Sequence, residues 1–203
     1  FDNFDVYLKA FGYTVALFIC AGVLSTILGT FLAACRVSPV QALRWASGVW
    51  VTLVRNTPLV IVFGCFSFIA PKLWEGFNFT WVKISIGTFD FTAFFTVAVV
   101  ALSLYTAGFV CEALRSGVNA VPLGQVLPQA FRAALPPYAS AQIALIKNTS
   151  VAAVFGVAEA ASQMRSFNNE FSSQRTEIFI CFAIGYIVIV EVFSFAANRL
   201  ERR

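Results

Sequence analysis

Two short polar stretches interrupt long apolar runs. The first is Arg55-Asn56-Thr57-Pro58, within LVRNTPLVIVFG, and the second is Lys147-Asn148-Thr149-Ser150, within ALIKNTSVAAVFG. A cation at the centre of a membrane helix costs roughly 2.5–3.5 kcal/mol, so it must reach water, phosphate or a counter-charge. Pro58 withholds a backbone N–H and crowds the carbonyl of Val54, so the chain is expected to kink or break around residues 55–57. Backbone groups freed in hydrocarbon persist only where protein or water satisfies them. These features fit a translocation pathway or gate. Arg55 fits equally a helix end whose guanidinium snorkels to lipid phosphate. On a helix, Lys147 and Ser150 share one face, with Asn148 to its side. Thr149 and Ser150 also fit plain interhelical hydrogen bonding. The pairing of two similar interruptions, Arg-Asn-Thr and Lys-Asn-Thr, points to a transport site. Glu191, inside the last apolar run, is a candidate partner for either cation or for a polar group of a neighbouring subunit.

The elements that must hold these residues are membrane helices. The chain is 59% hydrophobic and 12% charged, with 23 Phe and no His. Tyr13 to Ala34 and Phe91 to Cys111 contain no charge, and each is long enough to cross a hydrocarbon core of about 30 Å. Ile178 to Asn198 carries only Glu191. Trp45 to Ala70 carries Arg55, and Tyr138 to Ala158 carries Lys147. The expectation is an all-α integral membrane protein with five transmembrane helices, read as one membrane domain over residues 1–203. Pro71 to Asp90, with Trp74 and Trp81, reads as an interfacial segment. Ser162 to Glu177 reads as a polar loop. The first residue is Phe, so a processed, trimmed or partly observed chain is expected.

Several chemistries find no support. No G-x-x-x-x-G-K-[ST] phosphate loop is present, no His offers acid–base or zinc chemistry, and no G-x-S-x-G elbow occurs. The 5 cysteines are odd in number and widely spaced, which argues for small core residues rather than disulfides or a metal site. With five crossings the termini lie on opposite sides. One set of connections and ends holds Arg36, Arg44, Arg115, Arg132, Arg199, Arg202 and Arg203. The other holds the smaller set Lys9, Lys72, Lys83, Arg165 and Arg175. The positive-inside rule then places the N-terminus outside and the C-terminus in the cytoplasm. A self-sufficient ion-coupled transporter or channel built by oligomerisation remains an alternative, as does a membrane scaffold.

The segment VPLGQVLPQAFRAALPPY, residues 121–138, concentrates Pro122, Gly124, Pro128, Pro136 and Pro137 between two apolar runs. These breakers are expected to stop the membrane helices around it. With EALRSGVNAVPLGQ before it, and with VRNTPLV and LIKNTSVAAVFGVAE in matching places, the chain resembles the permease subunits of ABC importers for polar amino acids. The likeness runs from about residue 11 to 200. RVSPVQALR and VRNTPL look most like the glutamate-uptake type.

The resemblance implies a type I importer permease in a bacterial plasma membrane. It would work with an ATPase dimer, an extracytoplasmic amino-acid-binding protein and a second permease, expected to be homologous, though an identical one also fits. The chain itself would hold no cofactor, because ATP and magnesium belong to the ATPase. No nucleic-acid partner is implied. The resemblance assigns the ATPase-coupling region to Glu112, Arg115, Gly117, Pro122, Gly124, Gln125, Leu127, Pro128 and Arg132. Glu112 and Arg115 can pair on one helix face, and Arg132 can meet ATPase carboxylates or lipid phosphates. One departure stands out. The family carries a coupling helix in this loop, whereas Gln125 here runs straight into Val126-Leu127-Pro128. Either residues belonging there are missing from the sequence as read, which is the expectation, or the chain does not couple in the ordinary way. Asn148 stands where relatives often carry Asp, which suits an anionic substrate.

Overall fold

A computed structural model describes residues 4–79, 82, 84–120 and 128–201. Helix α1 spans Phe4–Val37, and α2 spans Gln41–Asn56. Helix α3 (Leu59–Gly64) runs through a π-helical turn, Cys65–Ile69, into α4 (Ala70–Leu73). A short hairpin follows, β1 (Ile84–Ile86) and β2 (Phe89–Phe91). The remaining helices are α5 (Ala93–Asn119), α6 (Pro128–Asn148), α7 (Ala160–Glu170) and α8 (Arg175–Glu201). A 3-10 segment, Thr149–Phe155, joins α6 to the turn before α7.

Three helices, α1, α5 and α8, are long and apolar enough to cross a membrane, and two bent pairs bring the number to five if each pair is one span. The bend between α2 and α3 is 108°. It falls at Thr57-Pro58, where the missing N–H and ring of Pro58 disfavour a continuous helix. The bend between α6 and α7 is 52°.

Helix α5 is the centre of the bundle. Its most apolar window is 61% buried, against 6% for α8, so α5 meets protein on most sides and α8 presents its apolar surface outward. Leu17 and Ala21 of α1, Phe63 of α3, Ala98 and Leu102 of α5 and Leu145 of α6 are all buried in one core cluster. Small residues set the helix spacing, as they must where lipid supplies no hydrophobic drive. A Cβ at Gly29 would lie 2.5 Å from Val110 Cγ1, which fixes α1 against α5. A Cβ at Gly117 would lie 2.5 Å from the Ala130 carbonyl oxygen, which fixes α5 against α6.

The pairs Tyr7–Phe182, Phe11–Tyr186 and Phe18–Phe193 advance together along both helices, so α1 and α8 run parallel. The far ends of α1 and α8 therefore lie together, and the described termini fall at opposite ends of the bundle. Cations cluster at the far end. Arg36 closes α1, Arg44 opens α2, and Arg115 lies near the end of α5. Arg132 lies near the start of α6, and Arg199 in the last turn of α8.

Three expectations require correction. Pro136 and Pro137 do not stop a helix; they lie inside α6, which begins upstream at Pro128. The carbonyls they strand belong to Arg132 and Ala133, both exposed near the start of the helix, where water or headgroups can reach. Residues 162–177 are not simply a loop, because α7 occupies most of them. Three of the cysteines, Cys20, Cys65 and Cys181, are exposed, and only Cys111 is buried. The segment read as interfacial folds in part as the hairpin. Gly87 supplies the positive φ of its turn, and Tyr13 accepts the Asp90 N–H at 2.8 Å to hold β2 against α1.

Helix α7 forms because Glu159 caps it. The residue is 0% exposed, yet each of its carboxylate oxygens accepts a backbone N–H at 3.0 Å, from Ala161 and Ser162. Tyr186 of α8 donates to it at 2.7 Å and Thr14 of α1 at 3.4 Å. The Thr14 hydroxyl in turn accepts the Ala160 N–H at 3.1 Å. One carboxylate thus joins α1, α7 and α8.

Two stability measurements check this packing. Gly117→Ala is expected to destabilise the full chain by about 1–3 kcal/mol through overpacking; a loose contact would instead give a gain of about 0.5–1 kcal/mol from helix propensity. Glu159→Ala is expected to lower the thermal midpoint strongly, because each buried donor it abandons costs about 1–3 kcal/mol. A midpoint equal to that of the unchanged chain would contradict the capping role.

Candidate functional site

Both polar interruptions end a helix at the same place. Asn56 is the last residue of α2 and Asn148 the last of α6, with Thr57 and Thr149 immediately beyond. The cations Arg55 and Lys147 therefore sit in the last turn of their helices, where the carbonyl end of the helix dipole favours positive charge. The hydroxyls turn back on their own backbone. Thr57 donates to the Leu53 carbonyl at 2.7 Å, Thr149 to Ile146 at 2.7 Å, and Ser150 to Lys147 at 2.8 Å. Thr149 and Ser150 thus spend their hydroxyl donors on their own backbone, where α6 tightens into the 3-10 turn.

The segments beyond the two breaks touch, since Phe63 of α3 stacks on Phe155 at 5.0 Å. The two cations do not share a site. The Arg55 guanidinium lies 5.5 Å over the Phe109 ring, and its stem runs past Gly108. Asn56 and Pro58 beside it are exposed. Lys147 lies deeper. Gln142 donates to Thr26 at 3.3 Å and Leu145 lies over Gly22, which places Lys147 level with the middle of α1. Arg55, level with Gly29 through α5, sits about two turns nearer the cationic end.

From that level toward the N-terminal end of α1, a cavity of about 570 Å³ opens between α6, α7 and α8. Lys147, Ser150, Arg165, Tyr186 and Glu191 line it, with Phe179, Phe182 and other apolar side chains forming the rest of the wall. Lys147 and Ser150 do share the face their spacing predicts. Glu191 lines the same cavity as Lys147, but neither residue is in an ion pair among the described residues. Arg165, read from sequence as a loop residue, joins the site because α7 is a helix. Sequence reasoning passed over Glu159 as well, although a carboxylate directly ahead of Ala-Ala-Ser is a recognisable helix-start signal.

A second constellation occupies the cationic end. Arg115 donates to Glu112 Oε2 through Nε and Nη2, at 3.2 and 3.1 Å, as the three-residue spacing predicts. Arg36 of α1 joins from the other side, with Nη2 at 3.2 Å from Glu112 Oε1. This interhelical arm is invisible to local spacing. Arg132 is exposed nearby on α6. Pro122, Gly124, Gln125 and Leu127 lie outside the described residues, as does the junction of Gln125 with Val126. Pro128 enters only as the first residue of α6.

Among curated proteins, the glutamate transport system permease protein GluC of Corynebacterium efficiens is 36% identical to the chain, covering 97% of it and 92% of the relative. The glutamate/aspartate import permease protein GltJ of Escherichia coli is 27% identical, covering 96% and 85%. The alignment with GluC runs over 214 positions, more than the 203 residues of this chain, so it contains gaps on the side of this chain. A solved structure described as a crystal structure of an amino acid ABC transporter with histidines superposes with a TM-score of 0.83 at 21% identity, over 100% of this chain and 95% of that one. No family model matches the chain. The length, order and depth of these matches, on a bundle of apolar helices, make the chain a multi-pass cell-membrane protein that belongs to the family of amino-acid ABC importer permeases.

Proposed function

We propose that the chain is the membrane-spanning half of an ATP-driven importer for glutamate or a close relative. The observation that carries this reading is the cavity between α6, α7 and α8. Its volume is that of a small-molecule site, and Lys147, Arg165 and Glu191 supply two positive charges and one negative. Glutamate carries two carboxylates and one ammonium, so its charge pattern is the complement of that set. Desolvation in an apolar wall makes such pairing selective, because a wrong sign leaves a charge unpaired. Arg55, Asn56, Thr57 and Pro58 act on this reading as a gate element rather than as substrate ligands, since the broken α2–α3 helix can move about Pro58.

The partners follow the same reading. A second permease, homologous or identical, completes the pathway, an extracytoplasmic binding protein delivers the amino acid, and a pair of ATPase subunits holds ATP and magnesium. The cationic end faces the cytoplasm, which puts the N-terminus outside and the C-terminus inside. There the Arg36–Glu112–Arg115 cluster ties α1 to α5 and carries the push of the ATPases from the α5–α6 connection into the bundle. Glu112, Arg115, Gly117, Pro128 and Arg132 flank that connection.

Two experiments test the assignment. Lys147→Ala is expected to reduce glutamate uptake by vesicles at least tenfold while the subunits still co-purify; unchanged transport would remove Lys147 from the pathway. Glu112→Gln is expected to leave thermal stability within about 1 kcal/mol, as for partly exposed ion pairs, while reducing substrate-stimulated ATP hydrolysis. Full stimulation in that variant would separate the cluster from coupling.

A further inference from the structure

The cationic end carries a second groove that the transport reading does not use. It lies between the last turn of α1 and one face of α2, from Arg44 to Leu53, with a volume of about 470 Å³. Arg36 and Arg44 line its mouth. Trp45, Val49 and Leu53 line its length at i, i+4 and i+8 of α2, and they are 71%, 39% and 60% exposed. This stripe leads from the two guanidiniums, at the ends of their helices, along the face of α2 toward the bundle's interior depth.

Both guanidiniums are set in place but not used up. Arg36 spends Nη2 on Glu112. Its Nη1 faces the groove at Gly48, where an added Cβ would sit 3.7 Å from it, and it has no hydrogen bond among the described residues. Arg44 spends Nη2 on Gln41 Oε1, at 2.6 Å. Arg36 and Arg115 share the single carboxylate of Glu112, and Arg44 has no ion pair among the described residues, so the positive charge is in excess. Gly48 keeps the approach to Arg36 open.

We propose that this groove binds one anionic phospholipid of the adjoining leaflet, with its phosphate between Arg36 and Arg44 and an acyl chain along Trp45, Val49 and Leu53. Paired guanidiniums match the geometry of a phosphate. Basic pockets between helices at a membrane surface are suited to anionic headgroups, and an indole is favoured at that level. The apolar stripe selects a lipid over free phosphate, which would contact only the mouth.

The test is lipid retention by the full chain, purified with its transporter partners and offered phosphatidylglycerol and phosphatidylcholine, with bound lipid counted by native mass spectrometry. The expected result is preferential retention of phosphatidylglycerol, reduced about fivefold by Arg44→Gln. Gly48→Leu, which fills the groove without altering charge, is expected to reduce it comparably. Arg199→Gln, which removes a cation elsewhere at the same end, should leave retention unchanged, and millimolar inorganic phosphate should not displace the lipid. Melting in phosphatidylcholine alone reports folding of each variant, and Arg44→Gln carries the test if Gly48→Leu does not fold. Undiminished retention in Arg44→Gln would overturn the site. An equal loss in Arg199→Gln would show only general attraction to the cationic end, and displacement by inorganic phosphate would show a free-anion site. Either result overturns the proposal as well.

Discussion

The hydrocarbon core offers no hydrogen bonds, so every break in a helix must be repaired from within the protein. That constraint governs this bundle because two of its spans are broken. The α6–α7 break is repaired by Glu159, whose two oxygens receive the first N–H groups of α7 while Tyr186 and Thr14 complete its shell. A buried carboxylate here is less a liability than a joint, since it replaces the water that a free helix end would require. With α7 fixed as a helix, Arg165 is brought to the cavity wall and α8 is held parallel to α1. The cavity thus depends on a residue that does not line it.

The α2–α3 break is repaired more locally. Thr57 satisfies the Leu53 carbonyl with its own hydroxyl, and Phe63 beyond the bend is anchored in the core. Arg55 at this break rests on an aromatic face and has no ion pair among the described residues. A cation–π contact of this kind holds the side chain with modest strength, on the order of 0.5–2 kcal/mol. The two similar sequences therefore have different surroundings: one cation faces a cavity, and the other lies against α5 near the cationic end.

Much of the helical framework was legible because membrane spans are written in uninterrupted hydropathy, and because a proline far from the start of its apolar run, as Pro58 is, disrupts the helix. The face shared by Lys147 and Ser150, and the Glu112–Arg115 pair, followed from helix spacing alone. What was not legible involved partners distant in sequence. Arg36 reaches Glu112 across two helices, and Glu159 gathers donors from Thr14 and Tyr186. Pro136 and Pro137 misled for a related reason. Proline disrupts a helix by stranding carbonyls, and the damage is small where those carbonyls are exposed near a helix start. The polarity of residues 162–177 hid α7, whose buried Ala160 and Ala161 are few but well placed after the Glu159 cap.

The central claim is that this chain moves an amino acid only under the drive of separate ATPase subunits. The most direct measurement is labelled glutamate uptake into proteoliposomes holding the chain, its permease partner and the ATPase pair, with binding protein outside. The account predicts uptake that requires ATP inside and disappears when the ATPase subunits are omitted, whatever the ion gradient. Uptake driven by an ion gradient alone, without the ATPases, would contradict it.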